Sequence, residues 1–157
     1  VVQYEHTEIG YNSRLSNILA ALGRAQLARL DEMIERRRGW RSAYRVLFEQ
    51  SAGVTVLGGP EDSDTNCWLT AVIVDPDRSS WSVADLVAAM TAAQIETRPM
   101  WKPIHLQPVS ARLRGTLDGT AERLFETGLT LPSGSGMSDA EFNRVADIIT
   151  DVIERAG

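Results

Sequence analysis

NCWLTAVIV, residues Asn66–Val74, combines β-branched and aromatic residues and is stopped by Asp75-Pro76, so it reads as a central strand. Upstream, Leu15, Ile18, Leu19, Leu22, Leu27, Leu30, Met33 and Ile34, then Trp40, Tyr44, Leu47 and Phe48, recur at helical spacing. The spacing predicts helix from Leu15 to about Gln50, with a break or kink. Ser13 or Ser16 is available as the first cap, Asp31 as a second, and Gly39 weakens the middle. Gly53 closes this region, and Val54–Leu57 reads as a short strand before a turn-rich stretch. Downstream, Ser82 with Asp85 opens a helix to Gln94, and Ile95–Arg98 reads as a short strand. Thr120–Glu126 reads as helix and Gly128–Leu131 as strand. Ser138 with Glu141 begins a final amphipathic helix carrying Phe142, Val145, Ile148, Ile149 and Ile153. A few helices interleaved with short strands predict an α+β layer with a small, mainly antiparallel sheet, preceded by a long or kinked connecting helix.

Composition narrows the function classes. A chain of 157 residues with 43% apolar content suits one compact core. No apolar run reaches membrane-spanning length, and the opening VVQYEHTEIG lacks the layout of a secretory signal, which predicts a soluble, cytoplasmic protein without a membrane partner. Cys67 is the only cysteine, which excludes an intramolecular disulfide and a multi-thiolate zinc site. His6 and His105 are far apart in sequence, so no metal is expected. A net charge of -5 speaks against nucleic acid. The run Arg36, Arg37, Arg38, Arg41 and Arg45, beside Asp31, Glu32 and Glu35, reads as a solvated, partly paired helix face.

TRPMWKPIHLQP, Thr97–Pro108, is the stretch with ligand-facing chemistry. Three prolines hold Arg98, Trp101, Lys102 and His105 on a backbone too constrained for a helix. Two fixed cations, an imidazole and an indole suit a phosphate-bearing ligand with a flat face. The same stretch also reads as a solvated loop with a Trp plugging the edge of the core. Ser133-Gly134-Ser135-Gly136 is a candidate phosphate cradle, but reads better as a flexible connection ahead of a capped helix. Trp40, Tyr44, Leu47 and Phe48 read as core packing.

Three separated segments, in order, carry a resemblance. EHTEIGYNSRLSNILAALGRAQLARLDEMIERRR, ETRPMWKPIHLQP and LFETGLTLPSGSGMSD resemble the carboxy-terminal part of the DegT/DnrJ/EryC1/StrS aminotransferases, which use pyridoxal phosphate on nucleotide-linked sugars. They look most like the branch that aminates a UDP-linked 4-keto-6-deoxy sugar toward bacillosamine-type products. The resemblance implies the small carboxy-terminal domain of a fold type I transferase at 51–157. Residues 1–50 would be the end of the large-domain segment with its connecting helices, and the amino-terminal lysine domain would be absent. It also implies amino transfer from glutamate, a role in polysaccharide biosynthesis, and a homodimer with a composite active site.

Residue by residue, Asn12 matches a side chain that reaches the cofactor phosphate of the neighbouring subunit, and otherwise reads as a turn or helix cap. Arg14 matches a basic residue near the substrate diphosphate, and otherwise reads as a surface cation. Ser13 stands where many relatives carry an aromatic. Trp101 and Lys102 match positions that approach the nucleotide. Arg98 adds charge or pairs with Glu96, and His105 contacts sugar or phosphate or is a buried, satisfied histidine. Lys102 is the only lysine and lies outside the family's Schiff-base segment, so the chain alone is expected to be inactive. The alternatives are a sugar dehydratase of the same family using the aminated cofactor, a non-catalytic nucleotide-binding or regulatory module, and a domain whose amino-terminal helix pairs with another chain.

Overall fold

A computed structural model describes residues 5–11, 14–59 and 64–157. Helix α1 (Asn17–Leu27) starts at Ser16, whose hydroxyl accepts from the Leu19 N–H, and α2 (Leu30–Phe48) follows after a break at Ala28 and Arg29. The expected kink exists, but its details differ. Arg29, not Asp31, occupies the cap position and makes no capping hydrogen bond with its side chain. Asp31 and Glu32 lie in the first turn, where the helix dipole favours negative charge. Gly39 sits inside α2 without ending it, because the flanking turns are anchored in the core.

Strands β1 (Val54–Val56) and β2 (Thr70–Val74) pair antiparallel, with Val54 opposite Val74. Strand β2 is shorter than the sequence suggests. Thr65 Oγ1 accepts from the Cys67 N–H, Asn66 Oδ1 accepts from the Trp68 N–H, and Cys67 has a positive φ of 48°. These turn bonds consume residues 65–68 before the ladder begins. Helix α3 (Val83–Ala92) carries the expected capping box of Ser82 and Asp85. Its end passes through Gln94 at φ 57°, and the Ile95 N–H donates to the Met90 carbonyl oxygen. Ile95 is therefore spent on closing the helix, and β3 is only Arg98–Pro99.

The proline-bound stretch contains no α-helix, but does form two single 3-10 turns, Ile104–Leu106 and Pro108–Ser110. Pro103 and Pro108 supply the fixed φ that starts each turn. Helix α4 (Thr120–Thr127), β4 (Gly128–Leu131) and α5 (Asp139–Ala156), with its Ser138 and Glu141 capping box, complete the chain as expected.

The sheet order is β1-β2-β4-β3, and every pairing is antiparallel. Thr70, Val72 and Val74 on one face of β2 are buried. Tyr44 and Phe48 of α2, Leu86 and Met90 of α3, and Val145 and Ile149 of α5 join Val72, Val74, Leu129 and Leu131 in one core. All four residues of the interior strand β4 are buried. Trp40 stacks on Phe142, with ring centroids 5.0 Å apart, so the aromatic stripe of α2 is packing, as its spacing indicates. Helix α1, by contrast, buries no residue: Ile18, Leu19, Leu22 and Leu27 are exposed, as is Leu15 just before it. Among the described residues, no helix is long and apolar enough to cross a membrane.

Candidate functional site

The basic run of α2 is less solvated than its charge pattern predicts. Arg38 pairs with Glu35 at 2.6 Å, as a surface pair would. Arg41, however, is buried. Arg36 spans to the connection before α5, where Nε donates to the Ser135 carbonyl oxygen and Nη2 to that of Met137, both at 2.7 Å. The glycine-serine connection is thus clamped rather than flexible, and its start is fixed too: buried Ser133 accepts a hydrogen bond from the Thr70 N–H at 3.1 Å. Packing of α5 against α2 brings this connection within reach of the arginines, a proximity absent from the local charge pattern.

The proline-bound loop is built around Gln107, a buried side chain that sequence reasoning did not single out. Gln107 Oε1 accepts from the His6 N–H at 3.0 Å, and Nε2 donates to the Lys102 carbonyl oxygen at 3.2 Å. The Val109 N–H donates to the His6 carbonyl oxygen, and the Lys102 ammonium pairs with the Glu5 carboxylate. The amino-terminal segment and residues 102–109 therefore form one unit. Lys102 is largely enclosed in that unit, with its charge met by Glu5.

The other expected site residues fall at different places. Arg98 Nε pairs with Glu96 Oε1 at 2.9 Å, which is the carboxylate reading of Arg98. His105 Nε2 lies 2.7 Å from Glu122 Oε1, joining the first 3-10 turn to α4. Trp101 is 57% exposed, and its ring lies 6.1 Å from that of Trp68, tilted by 38°. Trp68 is itself 60% exposed and was read from sequence as part of a central strand. The turn-forming Thr65 and Asn66 just before it are the signal that would have placed it outside the ladder. Arg14 is exposed on the approach to α1. Asn12 and Ser13 lie outside the described residues.

A cavity of about 700 Å³ opens between α2, the end of α3, the sheet and the start of α5. Trp68, Arg98, Arg37 and the residues around Gly134 line it, whereas Trp101, Lys102 and His105 do not. The structure thus brings Trp101 beside Trp68 at the edge of this cavity and holds Lys102 and His105 in separate pairs.

A Schiff base needs a neutral amine open to the cofactor, whereas the single lysine amine is ion-paired with Glu5 and does not line this cavity.

The model of the DegT/DnrJ/EryC1/StrS aminotransferase family matches residues 1–150. The putative pyridoxal phosphate-dependent aminotransferase EpsN of Bacillus subtilis (strain 168) is 40% identical over 152 residues, which cover 94% of this chain and 38% of that protein. GDP-perosamine synthase of Vibrio cholerae is 29% identical over 150 residues, covering 94% and 40%. The crystal structure of S. venezuelae DesV in complex with a ketimine intermediate aligns with a TM-score of 0.79 at 27% identity, covering 99% of this chain and 41% of that one. The chain therefore spans about two fifths of the length of the relatives it matches.

Proposed function

The chain belongs to the DegT/DnrJ/EryC1/StrS aminotransferase family, and from that premise we propose that it is the carboxy-terminal, substrate-gripping part of a pyridoxal-phosphate-dependent transaminase. The full enzyme would move an amino group from glutamate to a UDP-linked 4-keto-6-deoxy sugar, in the cytoplasm, on a route to polysaccharide. The cofactor lysine would come from the length of the relatives that this chain does not span, and this chain alone would not transaminate.

The observation that carries the reading is the exposed indole of Trp101, set 6.1 Å from that of Trp68 on a loop braced by Gln107. An aromatic face held on a rigid backbone binds a flat base at little entropic cost. In this proposal Trp101 stacks on the uracil. Arg98 lends charge through its partly neutralised guanidinium, and His105, oriented by Glu122, meets the sugar. Lys102 would reach the diphosphate by exchanging its Glu5 partner for phosphate oxygens, and Arg14 would approach the same diphosphate. Asn12 would donate to the cofactor phosphate of a second subunit, which makes the working enzyme a homodimer.

Incubation of the full-length enzyme with glutamate and UDP-, GDP- and TDP-linked 4-keto-6-deoxy sugars tests this directly. The expected products are 2-oxoglutarate and an amino sugar, formed fastest from the UDP substrate. Loss of the 3-hydroxyl without retained nitrogen would make the enzyme a dehydratase, and no turnover with any sugar would leave a binding module. Asn12→Ala in the same enzyme should weaken cofactor retention, and unchanged retention overturns the Asn12 assignment.

A further inference from the structure

The cavity between α2, the end of α3 and the start of α5 holds a guanidinium for which the described residues provide no partner. Arg37 Nε is sealed from water and makes no hydrogen bond among the described residues. A sealed N–H of a charged group is costly to leave without an acceptor, so this position favours a ligand that brings one. Trp40 Nε1 and an Arg45 nitrogen are also sealed and unpartnered, but neither residue lines the cavity.

The other charged side chains of the lining have hydrogen-bond partners. Arg98 and Glu96 compensate one another. Arg144 donates to the Ala93 carbonyl oxygen. Glu141 accepts from the Ser138 N–H and hydroxyl, which hold its carboxylate below the usual range. Three guanidinium groups against two carboxylates leave the lining net positive.

Part of the same lining is main chain without side chains. Gly134 and Gly136 line the cavity, a Cβ on either would meet nothing within 4 Å, and their N–H groups donate to no described residue. Arg36 occupies the carbonyl oxygens of Ser135 and Met137, and the Met137 N–H donates to the Gly134 carbonyl oxygen, so the connection is held in place with the Gly134 and Gly136 amides unspent. Free amides on a fixed loop beside an unpaired guanidinium are the donor set of a phosphate seat. Trp68 at the rim offers an indole to whatever ring carries that phosphate.

We propose that this cavity is a binding seat for the phosphate of a ring-bearing organic phosphate, formed by Arg37, the Gly134–Gly136 main chain and Trp68, adjoining the Trp101–Lys102 loop at the Trp68–Trp101 pair but using none of that loop's residues. Titration of the 157-residue chain with phenyl phosphate, followed by amide and arginine Nε resonances, tests it. The Gly134 and Gly136 amides and the Arg37 Nε–H should shift together and saturate. Phenol and benzoate should bind at least about tenfold more weakly, and Arg37→Gln should lose about tenfold in affinity. The Arg37 Nε resonance of the unaltered chain reads the contact without relying on the folding of any variant. Absence of a saturable shift, equal binding of benzoate, or an unweakened folded Arg37→Gln variant each overturns the proposal.

Discussion

The Tyr44 hydroxyl donates to the Pro132 carbonyl oxygen at 2.7 Å, tying the middle of α2 to the residue that follows β4. Tyr44 is fully buried, so this one bond satisfies a phenol inside the core and fixes where the connection to α5 begins.

Burial pushes the Tyr44 phenol above its ordinary value. The neutral form is favoured by folding, so its stabilisation is complete below the unfolded value of about 10 and is lost as pH rises toward the folded one. Equilibrium unfolding should show stability falling above pH ~10. Tyr44→Phe should cost about 1 kcal/mol at neutral pH and flatten that alkaline loss.

Gly128 opens β4 directly behind α4. A Cβ there would lie 2.4 Å from the Leu124 carbonyl oxygen and 2.4 Å from Met100 Cγ. Backbone cannot move aside as a side chain can, so Gly128→Ala should destabilise by about 3 kcal/mol. Gly134→Ala, whose Cβ meets open space, should leave the melting temperature within a few degrees on the scale of surface changes.

Gln107→Ala removes the acceptor of the His6 N–H and the donor to Lys102. Hydrogen exchange at His6 and Val109 should accelerate by about tenfold, the change expected for roughly 1.4 kcal/mol of lost local stability. Exchange in β2 and β4 should be unaffected. Equal acceleration in the sheet would show that the loop and the core open together.

Ser138 and Glu141 begin α5 by exchanging hydrogen bonds, and those bonds lower the Glu141 carboxyl. Their contribution is present above the ordinary carboxylate value of about 4.3 and is lost as pH falls through the lowered one. Ser138→Ala should cost about 1 kcal/mol at neutral pH, with a reduced acid dependence, checked by urea melts at two pH values.

The proposed stacking of Trp101 on uracil predicts that, in the full-length enzyme, Trp101→Ala raises KM for a UDP-linked sugar by about tenfold and changes kcat little, because a contact to the base would be distant from bond making. A fall in kcat at unchanged KM would place the indole at the reacting sugar instead.

Periodicity alone determined much of this fold. The capping boxes at Ser82 and Ser138, strand β4 and the helical stripe of Trp40, Tyr44, Leu47 and Phe48 are local patterns, and they stand where spacing puts them. Motif order along the chain was likewise enough to place it in its family. Only tertiary structure decided the pairing of charges. Arg36 meets carbonyl groups 99 and 101 residues away, Lys102 meets Glu5 across 97, and Trp68 leaves its expected strand to stand beside Trp101. Helix and strand periods arise from interactions within a few residues and can be read along the chain. The partner of a long cation is set by which elements the core packs together, and no local pattern records that distance.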